Sequence, residues 1–124
     1  VMQEFESAIA DYDSAIAIDP EMPGAYLYRG ACWFHLGDDN QAIDDFNRAI
    51  ELDPEDESGH LISAYYIRGR TYYRIDEYQK ALADFDEAER RQPSFCPGYL
   101  RGLCWYEQDK YAEAIKDFTR AIED

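Results

Sequence analysis

One phrase recurs four times along the chain, and it limits the fold more than any other feature. Ala8-Ile9-Ala10-Asp11-Tyr12-Asp13-Ser14-Ala15-Ile16 returns as Ala42-Ile43-Asp44-Asp45-Phe46-Asn47-Arg48-Ala49-Ile50. It returns again as Ala81-Leu82-Ala83-Asp84-Phe85-Asp86-Glu87-Ala88 and as Ala114-Ile115-Lys116-Asp117-Phe118-Thr119-Arg120-Ala121-Ile122. The leading alanine advances by 34, 39 and 33 residues. A second phrase precedes the last three copies: Tyr28-Arg29-Gly30 before Trp33, Ile67-Arg68-Gly69 before Tyr72, and Leu100-Arg101-Gly102 before Trp105. Its arginine advances by 39 and 33 residues, so the two phrases move together. A period of this size marks stacked supersecondary units, each of which buries its apolar face only against a neighbour.

Both phrases have helical spacing. Ala42, Phe46 and Ala49 fall at i, i+4 and i+7, as do Tyr26, Gly30 and Trp33. Small residues alternate with a large ring, which lets two helices approach closely while the ring fills the groove. Pro20, Pro54 and Pro93 follow the first phrase, where a helix stops, and Gly37-Asp38, Asp76 and Asp109 mark the turns between phrases. The pattern predicts seven helices, over 2–18, 23–36, 39–52, 58–75, 78–91, 95–108 and 111–123.

On these residues the chain resembles the tetratricopeptide repeat (TPR) family, a helix–turn–helix repeat of about 34 residues with the pattern W-x2-L-G-x2-Y…A-x3-F…P. The first aromatic of that pattern matches Tyr26 and Tyr65, its Gly matches Gly30, Gly69 and Gly102, and its second aromatic matches Trp33, Tyr72 and Trp105. Its Ala and aromatic match Ala8/Tyr12, Ala42/Phe46, Ala81/Phe85 and Ala114/Phe118, and its Pro matches Pro20, Pro54 and Pro93. The resemblance implies an all-α, right-handed solenoid. It would be a single TPR domain, with 1–22 a second helix of a partial repeat, repeats over 23–56, 62–94 and 95–124, and an insertion at 57–61.

Departures from the pattern carry expectations of their own. Arg29, Arg68 and Arg101 stand where the family has Leu, and Gly98 stands where the last repeat should have its first aromatic. Glu89 and Arg91 replace the Ile and Leu of the preceding repeat, so that helix end should pack less well. The five extra residues around Glu57–Leu61 should lengthen the following helix by a turn, a protruding loop being the alternative. The chain starts and stops within repeats. Read as a segment of a longer solenoid, it would expose Phe5 and Tyr12 at one end and Phe118 and Ile122 at the other. Self-association through these ends is then expected.

Charge narrows the partners. Twelve basic residues face 27 acidic ones, a net charge of −15. Such a surface repels phosphate backbones and anionic lipid headgroups, which excludes nucleic acid and membrane as expected partners. A basic partner suits it, and so does a simply solvated acidic outer face. No apolar run approaches the length of a membrane span.

No catalytic or cofactor motif is present: no HExxH, GxGxxG, P-loop or GxSxG. No cofactor, no metal and no enzymatic activity are expected. His35 and His60 lack metal-ligand spacing, and the acidic stretch Asp53–Gly59 lacks the order of a calcium loop and reads as helix-start charge, with Ser58 a candidate cap. Cys32, Cys96 and Cys104 form no motif. Cys32 and Cys104, each before a Trp, read as small buried residues, and Cys96 as a turn residue. Reduced thiols and the absence of a signal peptide make the cytoplasm the default compartment. The arginine of each Arg-Gly recurs with the Asp before each aromatic (Asp11, Asp45, Asp84, Asp117), which predicts a ladder of structural ion pairs.

A second stripe runs along each first helix, rotated by one residue from the first: Leu27, Ala31, Phe34; Tyr66, Arg70, Tyr73; Tyr99, Leu103, Tyr106. In TPR proteins the first helices line a concave groove that binds peptides. The resemblance therefore implies a groove formed by Leu27, Phe34, His35, Tyr66, Arg70, Tyr73, Arg74, Tyr99 and Tyr106. A non-catalytic protein–protein scaffold would use it to hold a segment with apolar anchors and an acidic group for Arg70 or Arg74. The alternatives are a structural spacer or self-assembly segment and a regulatory domain of a larger protein. The carboxylate clamp of chaperone-tail binders is not expected. Its positions, Leu27, Tyr28, Ala31, Tyr66, Ile67, Tyr99 and Leu103, hold neither Lys nor Asn.

Overall fold

The computed structural model describes residues 2–94 and 98–123. Its helices are α1 (Met2–Ile18), α2 (Pro23–Leu36), α3 (Asp39–Leu52), α4 (Leu61–Arg74), α5 (Tyr78–Arg91), α6 (Gly98–Glu107) and α7 (Tyr111–Glu123), with no strand among the described residues. Two compact units divide the chain, Val1–Ile67 and Arg68–Asp124, and the boundary falls inside α4. Cys96 lies outside the described residues.

Local chemistry sets the helix ends. Pro23 opens α2, where its missing N–H costs nothing. Gly37 closes α2 at φ +85°, and the Gly37 and Asp38 N–H groups return to the carbonyls of Phe34 and Trp33 at 3.1 and 2.9 Å. Asp76 and Asp109 take the same left-handed conformation after α4 and α6, at φ +65° and +61°, which Asp tolerates better than most residues. The Asp38 carboxylate accepts from the Gln41 N–H at the start of α3.

In the first unit Tyr26, Leu27, Phe34, Ala42, Phe46, Ala49 and Ala64 form the core, with Ile50 and Ile67 against it. In the second unit Ala81, Phe85, Ala88, Thr71 and Cys104 are fully buried. The alternation of Gly and ring is a steric fit. A Cβ on Gly30 would come within 2.8 Å of the Phe46 ring, one on Gly69 within 2.7 Å of Phe85, and one on Gly102 within 2.5 Å of Phe118. Gly98 departs from the repeat for a related reason: a Cβ there would lie 2.8 Å from the Asp117 carbonyl oxygen.

The ion pairs form as the recurrence predicts, each joining residues 16 apart. Arg29 holds Asp45 through two bonds of 2.8 and 2.7 Å, and Arg68 holds Asp84 through bonds of 2.9 and 2.7 Å. Arg101 reaches Asp117 at 2.8 Å. Asp45, Asp84 and Asp117 are buried. Bonding to Asp45 holds the Arg29 guanidinium above its usual pKa, so it stays charged throughout the accessible pH range. Other bonds cross between neighbouring repeats: Arg29 also takes Asp13, and Arg101 takes Asp86, both at 2.8 Å. Asp11 does not join the series. It is exposed and precedes the first arginine phrase.

One expectation is corrected. The extra residues do not lengthen α4, which starts at Leu61. They form a tight turn around the buried Asp53, whose carboxylate accepts from the Glu57 N–H (2.8 Å), the Ser58 N–H (3.0 Å) and the Ser58 hydroxyl. Asp56 (φ +57°) and Gly59 (φ +76°) reverse the chain, and the Asp56 carboxylate, not Ser58, accepts from the Leu61 N–H. An acceptor so well placed offers these N–H groups an alternative to helix. At the end of α5, Glu89 accepts from Arg101 (2.5 Å) and from Arg120, and Arg91 meets Glu87 at 3.2 Å, so ion pairs stand where the preceding repeat has Ile50 and Leu52.

Candidate interaction surface

The residues of the expected groove separate by burial. In the first unit Leu27 and Phe34 are 2% and 7% exposed and belong to the core cluster. They lie beneath the surface rather than on it, because α2 buries both of its stripes. His35 is exposed, stacked on Phe5 at 5.0 Å and edge-on to Phe34. Tyr66 is half-buried.

In the second unit Arg70 and Tyr73 are half-buried and Arg74 is exposed. Tyr99 and Tyr106 are 61% and 53% exposed. They stand seven residues apart on α6, and so on one side of it. Tyr73 lies 5.7 Å from Tyr78, and Tyr106 lies 5.6 Å from Tyr111. In each pair the second tyrosine donates its hydroxyl to the aspartate of the preceding turn, Tyr78 to Asp76 (2.8 Å) and Tyr111 to Asp109 (2.9 Å). These bonds push the Tyr78 hydroxyl up to about 12 and raise that of Tyr111. Burial, then the nearby Glu107 carboxylate, raises Tyr73. All three remain neutral donors at physiological pH.

The sequence reading passed over Tyr78 and Tyr111. Their signal was available: Tyr73-x4-Tyr78 and Tyr106-x4-Tyr111 each bracket an Asp turn at the same point of the repeat. It also passed over the role of Tyr28, 48% exposed, which sits 6.1 Å from Tyr12 and 5.7 Å from His60. The His60 ring in turn fills the space where a Cβ on Gly24 would project. Cys32 and Cys104 are buried thiols, and burial pushes Cys104 up to about 12, far from reactive thiolate. Among the described residues no group of His, Cys, Asp or Glu is arranged to hold a metal, and no helix is long and apolar enough to cross a membrane.

Helix pairs with an interlocked glycine and aromatic, repeated in register, define an all-α helical-repeat protein of the TPR solenoid class. The chain belongs to the tetratricopeptide repeat family: one family model matches residues 1–65 and a second matches 68–124. It is similar to dynein axonemal assembly factor 4 of Pongo pygmaeus, 30% identical over 95 residues, covering 74% of this chain and 23% of that protein. It is similar also to the Hsp70-Hsp90 organizing protein 3 of Arabidopsis thaliana (31% over 91 residues; 73% and 15%). A third relative is the SGT1 homolog of Oryza sativa subsp. japonica (36% over 83 residues; 67% and 21%). The chain thus spans only a small part of these relatives. Among solved structures it resembles MamA, with a TM-score of 0.85 at 27% identity, covering 96% of this chain and 63% of that one.

Proposed function

We propose that the chain is a non-catalytic protein–protein interaction scaffold. It binds a peptide segment on the face presented by its first helices, within repeats taken as 23–56, 62–94 and 95–124. The observation that carries this reading is the exposure of Tyr99 and Tyr106 along one side of α6. Tyrosine brings large contact area at low entropic cost, which is why it anchors interfaces. In the second unit Tyr73 and Arg74 contribute to the same role; in the first unit, taken by itself, His35 and Tyr66 hold the corresponding positions, with Leu27 and Phe34 as support from below.

The charges around the tyrosines refine the partner. Glu107 adjoins Tyr73, and Asp109 adjoins Tyr111. Arg70 and Arg74 already interact within the chain. Apolar anchors with a basic residue between them suit this surface better than the acidic group expected from sequence. Family membership and relatives such as the organizing protein support the scaffold role. The clamp positions, which lack Lys and Asn, argue against a chaperone-tail carboxylate as the ligand. The free thiols of Cys32 and Cys104 are consistent with a reducing compartment such as the cytoplasm.

The test is a displayed peptide library selected against the whole chain, followed by titration of the selected peptides. The Tyr73→Ala/Tyr106→Ala variant, still helical by circular dichroism, should bind them at least about tenfold more weakly, as expected for interface anchors. Equal binding by the variant overturns the reading.

A further inference from the structure

At the turn between α4 and α5, two tyrosine rings meet a carboxylate with no cation to neutralise it. Tyr73 and Tyr78 lie 5.7 Å apart with their planes inclined at 60°, so neither ring covers the face of the other. The bond from the Tyr78 hydroxyl to Asp76 fixes the second ring. Glu107, the last residue of α6, is exposed, and among the described residues its side chain makes no ion pair and no hydrogen bond. Its charge acts on both phenols, as does that of Asp76. Gln79 donates to the Gln108 side chain (2.5 Å), and Gln108 donates to the Cys104 carbonyl (3.1 Å). These bonds tie the end of α6 to the start of α5. All of these residues belong to the second unit.

The repeat register sets Glu107 apart. His35 and Arg74 hold the same position 72 and 33 residues earlier, and both are exposed although further helices follow them. Exposure here is therefore a property of the register and needs no missing neighbour. Of the three copies, the last alone places a carboxylate there.

The chain itself shows which side chain a tyrosine ring and a carboxylate hold together. Arg29 lies 5.6 Å from the Tyr26 ring while it forks onto Asp45. Arg68 lies 5.7 Å from the Tyr72 ring while it forks onto Asp84. Lys80 also reaches the Tyr72 ring, at 5.6 Å, but approaches Glu77 only to 4.0 Å. A planar guanidinium can lie on a ring and bond a carboxylate through two N–H groups at once, whereas an ammonium acts as a point charge.

We propose that Tyr73, Tyr78 and Glu107 form a subsite for one arginine of the bound peptide segment, its guanidinium laid against the tyrosine rings and paired with the Glu107 carboxylate. The subsite rests on the peptide-binding role proposed above and narrows its basic residue to an arginine at a named place. Asp76 adds to the local negative field, and the net charge of −15 draws a cationic segment towards the surface.

The test uses peptides selected from the displayed library against the whole chain. Each arginine is replaced in turn by citrulline, which keeps the shape and loses the charge, or by lysine. For one arginine, citrulline should weaken binding by at least about tenfold and lysine by at least about threefold. Glu107→Gln, at an exposed site, should weaken the parent peptide to a similar extent and add little to the loss already caused by citrulline. Glu107→Lys should bind the peptide better once that arginine is replaced by glutamate. Glu55→Gln, an exposed carboxylate of the first unit, should change nothing, which separates the subsite from the general field. Selected peptides that lack arginine overturn the proposal. So does a citrulline or lysine peptide that binds as the parent does, or a Glu107→Gln loss that persists in full on the citrulline peptide. Weakening by Tyr73→Ala/Tyr106→Ala with indifference to Glu107→Gln overturns the subsite alone. Equal binding by the tyrosine variant overturns the peptide-binding surface, and the subsite with it.

Discussion

The α2–α3 pair of the first unit and the α6–α7 pair of the second carry the same two phrases, yet Phe46 is fully buried and Phe118 only half-buried. The inner edge of each ring meets the glycine of its own hairpin, Gly30 or Gly102, and that contact is present in both. The outer side of the Phe46 layer is closed by Ala64 and Ile67, while the α6–α7 layer opens as a cleft. A TPR hairpin therefore locks itself through its Gly–ring contact, and its neighbour supplies the remaining burial. Ion pairing follows the same division. The bond from each Arg to the Asp 16 residues later is internal to the hairpin, whereas those to Asp13, Asp86 and Glu89 join one repeat to the next.

The sharpest way to break this comparison is truncation of the two rings. Phe46→Ala should cost about 3–5 kcal/mol. Phe118→Ala should cost less than half as much, because its outer side is already wet. Urea unfolding reads both, with Trp33 reporting the first unit and Trp105 the second. Equal costs would mean that the neighbour contributes nothing.

Next in size is the pair that is most internal. Asp84 is 4% exposed, so Arg68→Ala leaves a buried carboxylate without its charge partner and should cost about 3 kcal/mol. The double change Arg68→Met/Asp84→Leu should recover most of that loss in the same unfolding assay. If Arg68→Met alone is neutral, the ladder is not structural.

Gly30→Ala should cost about 1–3 kcal/mol, since its Cβ drives into a ring with nowhere to go. Gly102→Ala should cost less, although its clash is nominally tighter, because Phe118 has room to turn. Thermal melts of the pair test this ordering.

The smallest effect belongs to the turn before α4. Three donors lower the Asp53 carboxyl below its usual pKa, the Ser58 hydroxyl most strongly. A depressed native value means that this stabilisation is present above the unfolded pKa of about 3.9 and is lost as pH falls through the native one. Asp53→Asn should lower the melting temperature slightly at pH 7 and by less near pH 3. Equal shifts at the two values would show that the turn does not depend on the carboxylate's charge.

Much of this was legible before any coordinates. The ladder could be read because Arg29 and Asp45, and their counterparts, are tied by a fixed spacing within one hairpin. The bounds of α1, α2, α3, α5 and α7 could be read because Pro, Gly and Asp act within a turn of where they stand. The start of α4 could not. Whether Asp53 gathers the donors of residues 57–58, or leaves them to a helix, is a competition between two satisfied states. Glu89 read as a lost apolar contact because its partners, Arg101 and Arg120, lie 12 and 31 residues away.

The interaction surface shows the limit most clearly. Leu27, Tyr66 and Tyr99 occupy one register position and are buried, half-buried and exposed in turn. By itself the sequence determined the repeat, the glycine that admits each ring and the charges that pair across each hairpin, because all of these act over short, fixed separations. Only the tertiary structure decided which copies of the same stripe remain accessible. Exposure is set by what packs on the far side of a helix, and the helix's own residues do not record it.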